Sequence, residues 1–559
     1  MTLDGYIERW SRGWRGPALA ALIALLAGLP GVFAVPPLDR DESRFAQATA
    51  QMLETGDFVV IRFQDEPRFK KPVGIYWLQA ASVALLSEAE ARDIWAYRIP
   101  SLLGAMLAAA ACAWGAAAFF GGPTGVLAGA ALASTFLLSS EAFIAKTDAV
   151  LCGTTTLAVA ALGRIYAASH GGPPAGRLTR LLLWLGLSGA TLVKGPVGLM
   201  VVALTAIALW IADRRAPWAK SLGWSWGLIL FAAIVGPWAW AVTVATDGGF
   251  WSAALVGDLA PKLAGGQESH GALPGYHTLA TPLLFFPVTL LLPAALVFGW
   301  RNRAEPGVRF ALAWLVPAFL LFELTPTKLV HYTLPTYGAL AWLAAAALRE
   351  PLGARVRWTG AALSALVGVL LAGGVGYLMA QYGDRSDVPM ALVSGALMAA
   401  AGLAGAYMLL KGRAGTALVT AGVLGIAAHA ALAAGLAPRL EPLWLSQRTE
   451  QALAQARLLP RQGIAPAPVA VAGYAEPSLV FALGTPTDLG GPDQAAEALA
   501  DNRPAVVEGR EQKAFEAALK ARRLTPRQIG QVRGLDYSNG DETVLRIYAP
   551  PPPQPEAAP

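Results

Sequence analysis

The chain has 559 residues, of which 55% are hydrophobic and only 14% charged, where an ordinary soluble chain carries roughly a quarter charged residues. Together with a mean hydropathy of +0.48, that balance excludes a single large water-soluble core. The net charge of +6 does not point to nucleic acid, because the basic residues recur in short links between apolar blocks.

About thirteen apolar runs follow one another, with approximate limits 17–35, 97–119, 123–140, 149–168, 180–193, 196–212, 222–245, 277–299, 308–322, 332–348, 358–380, 389–410 and 414–436. Most approach the length needed to cross a bilayer core of about 30 Å. The first follows Arg9, Arg12 and Arg15 and ends in Pro36-Pro37-Leu38-Asp39 with no small-x-small cleavage pattern, so it reads as a retained span rather than a signal peptide. The fifth and sixth are short and are split at Lys194-Gly195-Pro196. With the N-terminus in the cytoplasm, the inner links hold Arg164, Arg177 and Arg180; Arg214, Arg215 and Lys220; Arg301, Arg303 and Arg309; Arg349, Arg355 and Arg357; and Lys411 and Arg413. This alternation obeys the positive-inside rule, and only the link near Gly121-Gly122 lacks a basic residue. An odd count leaves the C-terminus outside.

Two outer connections are long, 36–96 and 246–276, and long loops tend to carry function. Within the first, 44–53 and 75–86 have the spacing of helices lying along the outer membrane surface. Beyond 436 charge and proline increase. Strand-like runs occur at 468–472, 478–483, 505–507 and 543–548, and helix-like runs at 446–458, 493–501 and 511–522. The reading is an all-α polytopic membrane protein of about thirteen transmembrane helices with a small C-terminal periplasmic α/β domain. It comprises a membrane domain over 1–436, the α/β domain over 437–549 and a disordered Pro-rich tail over 550–559. Cys112 and Cys152 sit inside apolar runs and read as small buried residues.

The first outer loop opens with Asp39, Asp41 and Glu42 beside Arg40 and Arg44. Such a cluster can bind a metal, accept a proton or pair with arginine; by spacing alone it equally fits a solvated loop with local ion pairs. Lys70-Lys71-Pro72 places two lysines on the side where the positive-inside rule disfavours them, and a lipid phosphate supplies a reason for them. Lys146-Thr147-Asp148, Lys194, Asp258, Lys262, Glu268, His270, His277, Glu323, Lys328, His331 and Tyr332 lie at the same outer level. Ionisable groups at membrane depth are costly and mark function. There is no P-loop, no GxGxxG after a strand and no nucleophile elbow. No cofactor is legible. The carboxylates would admit a divalent cation, but no HExxH-type spacing supports one, and the metal ligands are unknown.

Asp41-Glu42-x-Arg44-Phe45-Ala46, then Gly56-Asp57-Phe58, Lys71-Pro72 and Tyr76-Trp77-Leu78, resembles the first outer loop of the bacterial aminoarabinose transferases, which group with the protein O-mannosyltransferases among integral-membrane C-type glycosyltransferases. Thr147-Asp148, Lys194-Gly195-Pro196 and Lys328-Leu329-x-x-Tyr332-x-Leu334-Pro335 extend the resemblance. It spans nearly the whole chain, is strongest over 36–200 and 320–337, and is only architectural in the C-terminal domain. It implies a polyprenyl-phosphate sugar donor and transfer on the outer face of a bacterial inner membrane. It also implies that Asp41 and Asp148 are the two cavity aspartates, that Lys71 holds the lipid phosphate, that Lys262 lies near an arginine of similar role, and that Tyr332 is a cavity tyrosine. The aminoarabinose transferases usually have Glu-Lys-Pro where this chain has Lys70-Lys71-Pro72, which puts a metal there, and aminoarabinose as the sugar, in doubt.

The expected activity is single displacement with inversion onto lipid A, another glycolipid or a protein. Asp41, Asp148 and Glu42 are the catalytic candidates. Lys71, Arg44, Lys262, Lys328, Tyr332 and Lys70 are the candidates for holding lipid phosphate and sugar. Membrane lipids are the remaining partners and nucleic acid is not one. A flippase of lipid-linked saccharides, which would be no enzyme, is the alternative. It fits less well because no internal repeat is visible and the charges gather at the outer surface. A polymerase or ligase of saccharide chains fits the first-loop pattern less well again.

Overall fold

A helix satisfies its own backbone hydrogen bonds, so apolar runs of this length fold as helices wherever lipid replaces water. The computed structural model describes residues 3–261, 271–460, 468–537 and 539–550. Among them nine helices are long and apolar enough to cross a membrane: Arg15–Ala34, Ile94–Phe120, Asp148–Ala168, Pro196–Asp213, Trp224–Ala245, Pro306–Leu324, Ala354–Tyr382, Val388–Leu410 and Ala414–Arg439. The chain is a multi-span membrane protein. Of the other four expected runs, 277–299 is a pair of helices bent by 115° between Leu284 and Val288. The run 123–140 breaks at Thr135 into Gly122–Ser134 and Phe136–Glu141. The run 180–193 is the helix Arg177–Lys194, and 332–348 is the shorter helix Leu334–Ala347.

The tightest anchor of the outer loop is a fully buried ion pair. Arg98 donates Nε to Glu42 Oε1 and Nη2 to Glu42 Oε2, both at 2.8 Å. Its remaining donors reach the carbonyls of Val32 at 3.1 Å, Val35 at 2.5 Å and Pro36 at 3.0 Å, at the end of the first membrane helix. Glu42 also accepts the backbone N–H of Leu38 at 2.8 Å and of Ala145 at 2.7 Å. Every charge is thus partnered, which a buried pair requires.

The helix expected over 44–53 spans Asp41–Thr55, but it does not lie free on a membrane surface. Its residues from Phe45 to Met52 are buried, because a helix of the C-terminal domain, Pro477–Leu483, covers it. Gln47 and Glu54 bond the Thr485 hydroxyl at 2.7 and 2.6 Å, Gln64 Nε2 donates to the Thr487 carbonyl at 2.6 Å, and Ser478 donates to Asp39. The helix expected over 75–86 is Gly74–Leu86 and does keep an exposed apolar face at Trp77, Leu78, Leu85 and Leu86.

In the first loop β1 (Arg62–Phe63) and β2 (Glu66–Pro67) form a hairpin. The C-terminal domain has a five-stranded sheet of β3 (Ala470–Ala472), β4 (Asp488–Gly490), β5 (Ala505–Glu508), β6 (Arg527–Leu535) and β7 (Glu542–Ala549), in the order β4-β3-β5-β7-β6. β3 is parallel to β4 and β5, and β7 is antiparallel to β5 and β6. The expected helices appear as Leu445–Gln455, Pro492–Ala500 and Gln512–Arg522. The strand expected over 478–483 is instead the helix Pro477–Leu483, buried throughout. Pro477 is preset for a first helical turn, and a short apolar run has no period to decide between the two. Of the expected tail, 551–559 lies outside the described residues.

Removing one member of the Glu42–Arg98 pair leaves a buried charge, a loss of about 3–5 kcal/mol. Glu42→Ala and Arg98→Ala should each lower the melting temperature in detergent sharply, and by similar amounts. Unchanged melting in either variant would show that the pair does not hold the loop.

Candidate active site

The loop helix Asp41–Thr55, the turn at 68–72, the turn at 146–148, the Lys194-Gly195-Pro196 break, the helical stretch Ser252–Leu259 and the link 325–332 converge on one cavity of about 280 Å³. Asp41 and Asp148 are each the first residue of a helix, where the positive end of the helix dipole favours a carboxylate. Gly195, at φ +59°, lets the chain leave one helix and enter the next within a single residue, so that Lys194 stays at the rim of the cavity.

Asp148 holds a buried cluster together. Its Oδ1 accepts Lys194 Nζ at 2.5 Å, and its Oδ2 lies 3.7 Å from Lys146 Nζ and 3.6 Å from His331 Nε2. Lys146 reaches Glu141 Oε1 at 3.1 Å and His331 Nδ1 at 3.2 Å. Lys194 Nζ also sits 5.4 Å from the centre of the Tyr332 ring. Burial pushes the His331 imidazole well below its ordinary value, and Lys146 and Lys194 add to that against the pull of Asp148. Burial opposes the charge on Lys146, but Glu141 and Asp148 outweigh it and hold the ammonium above its usual range.

Elsewhere in the lining Lys71 Nζ lies 3.0 Å from Asp258 Oδ2. Arg68 donates Nε to the Tyr76 hydroxyl at 3.3 Å and stacks over the Phe45 ring, 5.2 Å from its centre. Leu151, Val197, Met200, Trp251, Ala254, Leu255, Leu321 and Phe322 make an apolar wall beside these charges.

Of the residues expected from sequence, Asp41, Arg44, Lys70, Lys71, Asp148 and Tyr332 line the cavity together. Glu42 does not: both of its oxygens serve the Arg98 pair and the backbone, so its expected catalytic place is corrected to an architectural one. Lys328 does not either. It is buried, and its Nζ donates to the carbonyls of Glu323 and Thr325, both at 2.6 Å, closing the end of a helix. Glu323 in turn accepts the backbone N–H of His277 at 3.1 Å and of Thr278 at 3.0 Å. Lys262, Glu268 and His270 lie outside the described residues. Sequence reading missed Arg68 and Glu141. Arg68 belongs to no motif, although its place two residues before Lys70 on the outer side was a signal. Among the described residues no group of three or more His, Cys, Asp or Glu side chains has the arrangement of a metal site.

A family profile described as dolichyl-phosphate-mannose-protein mannosyltransferase matches residues 70–240. The undecaprenyl phosphate-alpha-4-amino-4-deoxy-L-arabinose arabinosyl transferase of Pseudomonas aeruginosa (strain UCBPP-PA14) is 30% identical over 390 residues, 67% of this chain and 69% of that protein. The protein of the same name from Edwardsiella ictaluri (strain 93-146) is 29% identical over 336 residues, and the chain spans 59% of its length. The crystal structure of ArnT from Cupriavidus metallidurans bound to undecaprenyl phosphate superposes with a TM-score of 0.75 at 18% identity, covering 98% of each chain.

Burial holds the His331 imidazole below its ordinary value in the folded protein, whereas in the unfolded chain it gains a proton below about pH 6.5. A depressed histidine therefore withdraws stability as pH falls through that region. Glu141, whose carboxyl burial raises to about 7, works in the opposite direction, so between pH 7.5 and pH 5.5 the melting temperature of the unaltered protein should drop further than that of His331→Gln. An equal drop in both proteins would place the sensitivity elsewhere.

Proposed function

The chain belongs to the family of integral-membrane glycosyltransferases that includes the aminoarabinosyl transferase of Pseudomonas aeruginosa, and on that premise we propose that it transfers a sugar from a polyprenyl-phosphate donor to an acceptor at the periplasmic face of a bacterial inner membrane. The observation that carries the reading is the meeting, in one cavity with an apolar wall, of Asp41, Lys71, Asp148, Lys194 and Tyr332 from separate stretches of the chain. Cations beside an apolar wall suit a molecule that is phosphate at one end and hydrocarbon at the other.

In the proposed step the bond between the sugar C1 and the phosphate oxygen breaks, and its electron pair leaves with the phosphate. Lys71 and Arg44 meet the charge that grows there. Lys71 would exchange its contact with Asp258 for the phosphate. The acceptor oxygen attacks C1 from the opposite face, inverting it. Where the acceptor is a hydroxyl, its proton passes to Asp41. Where it is a phosphate, as on lipid A, the nucleophile is already anionic and Asp41 orients it. Asp148 fixes Lys146 and Lys194 in place and sets their field toward the sugar, and Tyr332 offers an amphipathic surface to it.

The thirteen apolar runs are read as thirteen crossings with the N-terminus inside, over a membrane domain 1–436 and a periplasmic domain 437–549. A reporter fused after Arg303 should score cytoplasmic and one after Pro438 periplasmic. The same side for both would overturn that parity.

Turnover of a synthetic polyprenyl-phosphate sugar by detergent-purified protein separates an enzyme from a flippase. Asp41→Asn should abolish transfer at unchanged melting temperature. A charge-assisted hydrogen bond to phosphate contributes about 1.5–3 kcal/mol. Lys71→Ala should therefore slow transfer or weaken donor binding at least about tenfold, and Lys71→Arg should keep part of the activity. Near-normal turnover in Asp41→Asn, or a silent Lys71→Ala, would remove these assignments.

A further inference from the structure

The two oxygens of Asp148 are used differently. Oδ1 accepts Lys194 Nζ at 2.5 Å. Oδ2 lies 3.7 Å from Lys146 Nζ and 3.6 Å from His331 Nε2, and both separations are too long for a hydrogen bond. Asp148 and His331 are buried and line the cavity, yet among the described residues neither Oδ2 nor His331 Nε2 has a hydrogen-bond partner. Both are held in place. Ser101 Oγ donates to the Ile144 carbonyl at 2.7 Å, under the turn that carries Asp148, and Lys328 closes the helix end that precedes His331.

The proton on the imidazole decides which group can bond both atoms. Lys146 Nζ lies 3.2 Å from the other ring nitrogen, His331 Nδ1. Glu141, 3.1 Å away, and Asp148 hold Lys146 as an ammonium, and an ammonium has donors only. Nδ1 therefore accepts, and the ring proton is on Nε2. A donor, Nε2–H, and an acceptor, Oδ2, thus stand 3.6 Å apart on the cavity wall. One oxygen can lie about 2.8 Å from each, accepting from the first and donating to the second. Among the polar groups of a sugar, that is a hydroxyl. A ring or carbonyl oxygen has no proton for Asp148, and a carboxylate is repelled by it. An ammonium cannot accept from His331, and it brings a third cation to a carboxylate that already faces Lys194 and Lys146.

We propose that Asp148 Oδ2 and His331 Nε2 together take one hydroxyl of the transferred sugar, so that His331 selects a hydroxyl over hydrogen or an amine at that position. This rests on reading the cavity as a polyprenyl-phosphate sugar site, with the phosphate at Lys71 and the sugar toward Asp148.

The test starts from donors on one polyprenyl phosphate carrying a hexose, a pentose or a 4-amino pentose, with polyprenyl phosphate alone as a further ligand. Whichever donor the full chain in detergent uses best is remade with each ring hydroxyl in turn replaced by hydrogen and by an amine. The kcat/KM of each is measured with an envelope lipid extract as acceptor; where transfer is too slow to follow, thermal stabilisation by the same donors gives the comparison. At one position hydrogen should cost at least about tenfold, the size expected of a hydrogen bond to a charged group, and an amine should cost more than hydrogen. His331→Leu should use the parent and that one deoxy donor within about threefold of each other, and comparing the two proteins removes any effect of the missing hydroxyl on the sugar's own reactivity. His331→Gln, whose amide keeps an N–H donor, should retain part of the discrimination. A purely structural role would lower the use of every donor alike and overturns the inference. So does an amine tolerated as well as a hydroxyl at every position in the unaltered protein, a comparison that needs no variant to fold. A His331→Leu defect confined to the KM of the acceptor also overturns it and leaves the glycosyltransferase reading standing. If no donor is transferred and polyprenyl phosphate itself gives no stabilisation, the reading of the cavity fails and the inference with it.

Discussion

Arg98 and Glu42 are both removed from water, and neither would be tolerated there alone. Their pairing gathers the carbonyls at the end of the first membrane helix, the Leu38 N–H at the start of the outer loop and the Ala145 N–H in the next outer turn. Glu42 is the residue after Asp41, and Ala145 lies three before Asp148. One buried contact therefore sets the spacing between the two turns that carry Asp41 and Asp148. The rest of the site depends on it, because carboxylates brought to one cavity must be held by something other than their mutual interaction, which is repulsive.

The cavity solves a related problem with its cations. Lysines near hydrocarbon need anions, and Asp148, Glu141 and Asp258 supply them. The price is that part of the cationic field is already engaged before any ligand arrives. A phosphate entering beside Lys71 competes with Asp258 rather than meeting a bare charge. Such pairing stabilises the cavity's lysines, while among the described residues Arg44 and Arg68 make no ion pair.

Much of this was legible in the sequence, and the failures have physical causes. The apolar runs announce helices by length alone, so every expected span is found as a helix or a bent or broken pair. What length cannot show is where a helix breaks, as at Thr135, because the break is set by packing. β6 went unseen since Arg527–Leu535 mixes polar residues and glycines with few apolar ones and buries only Val532 and Gly534, and it becomes a strand by pairing with β7. In the site, Asp41 and Glu42 looked alike as neighbours in an acidic cluster. On a helix, adjacent residues point about 100° apart, so one faces the cavity and the other the core. Lys328 was read by its level in the membrane, which does not say whether a lysine turns toward the cavity or toward the carbonyls of its own helix end.

The presentation of Asp41 follows from what stands on either side of it. Arg40, just before it, adopts φ +61° and ψ −106°, a conformation that costs a non-glycine residue on the order of 1–3 kcal/mol and persists only where the surroundings over-determine it. They do so here from both flanks. Glu42 is locked by Arg98. Asp39 is half-buried against the C-terminal domain and accepts the Ser478 hydroxyl, while desolvation, helped by Glu476 and Asp536, pushes its carboxyl well above the usual range and so toward the neutral form that such a place tolerates. With Asp39 fixed from the C-terminal domain and Glu42 from the membrane domain, the intervening residues have one way to join them, and that way points Asp41 at the cavity. Among the described residues the C-terminal domain supplies none to the cavity lining, yet it helps decide where Asp41 points.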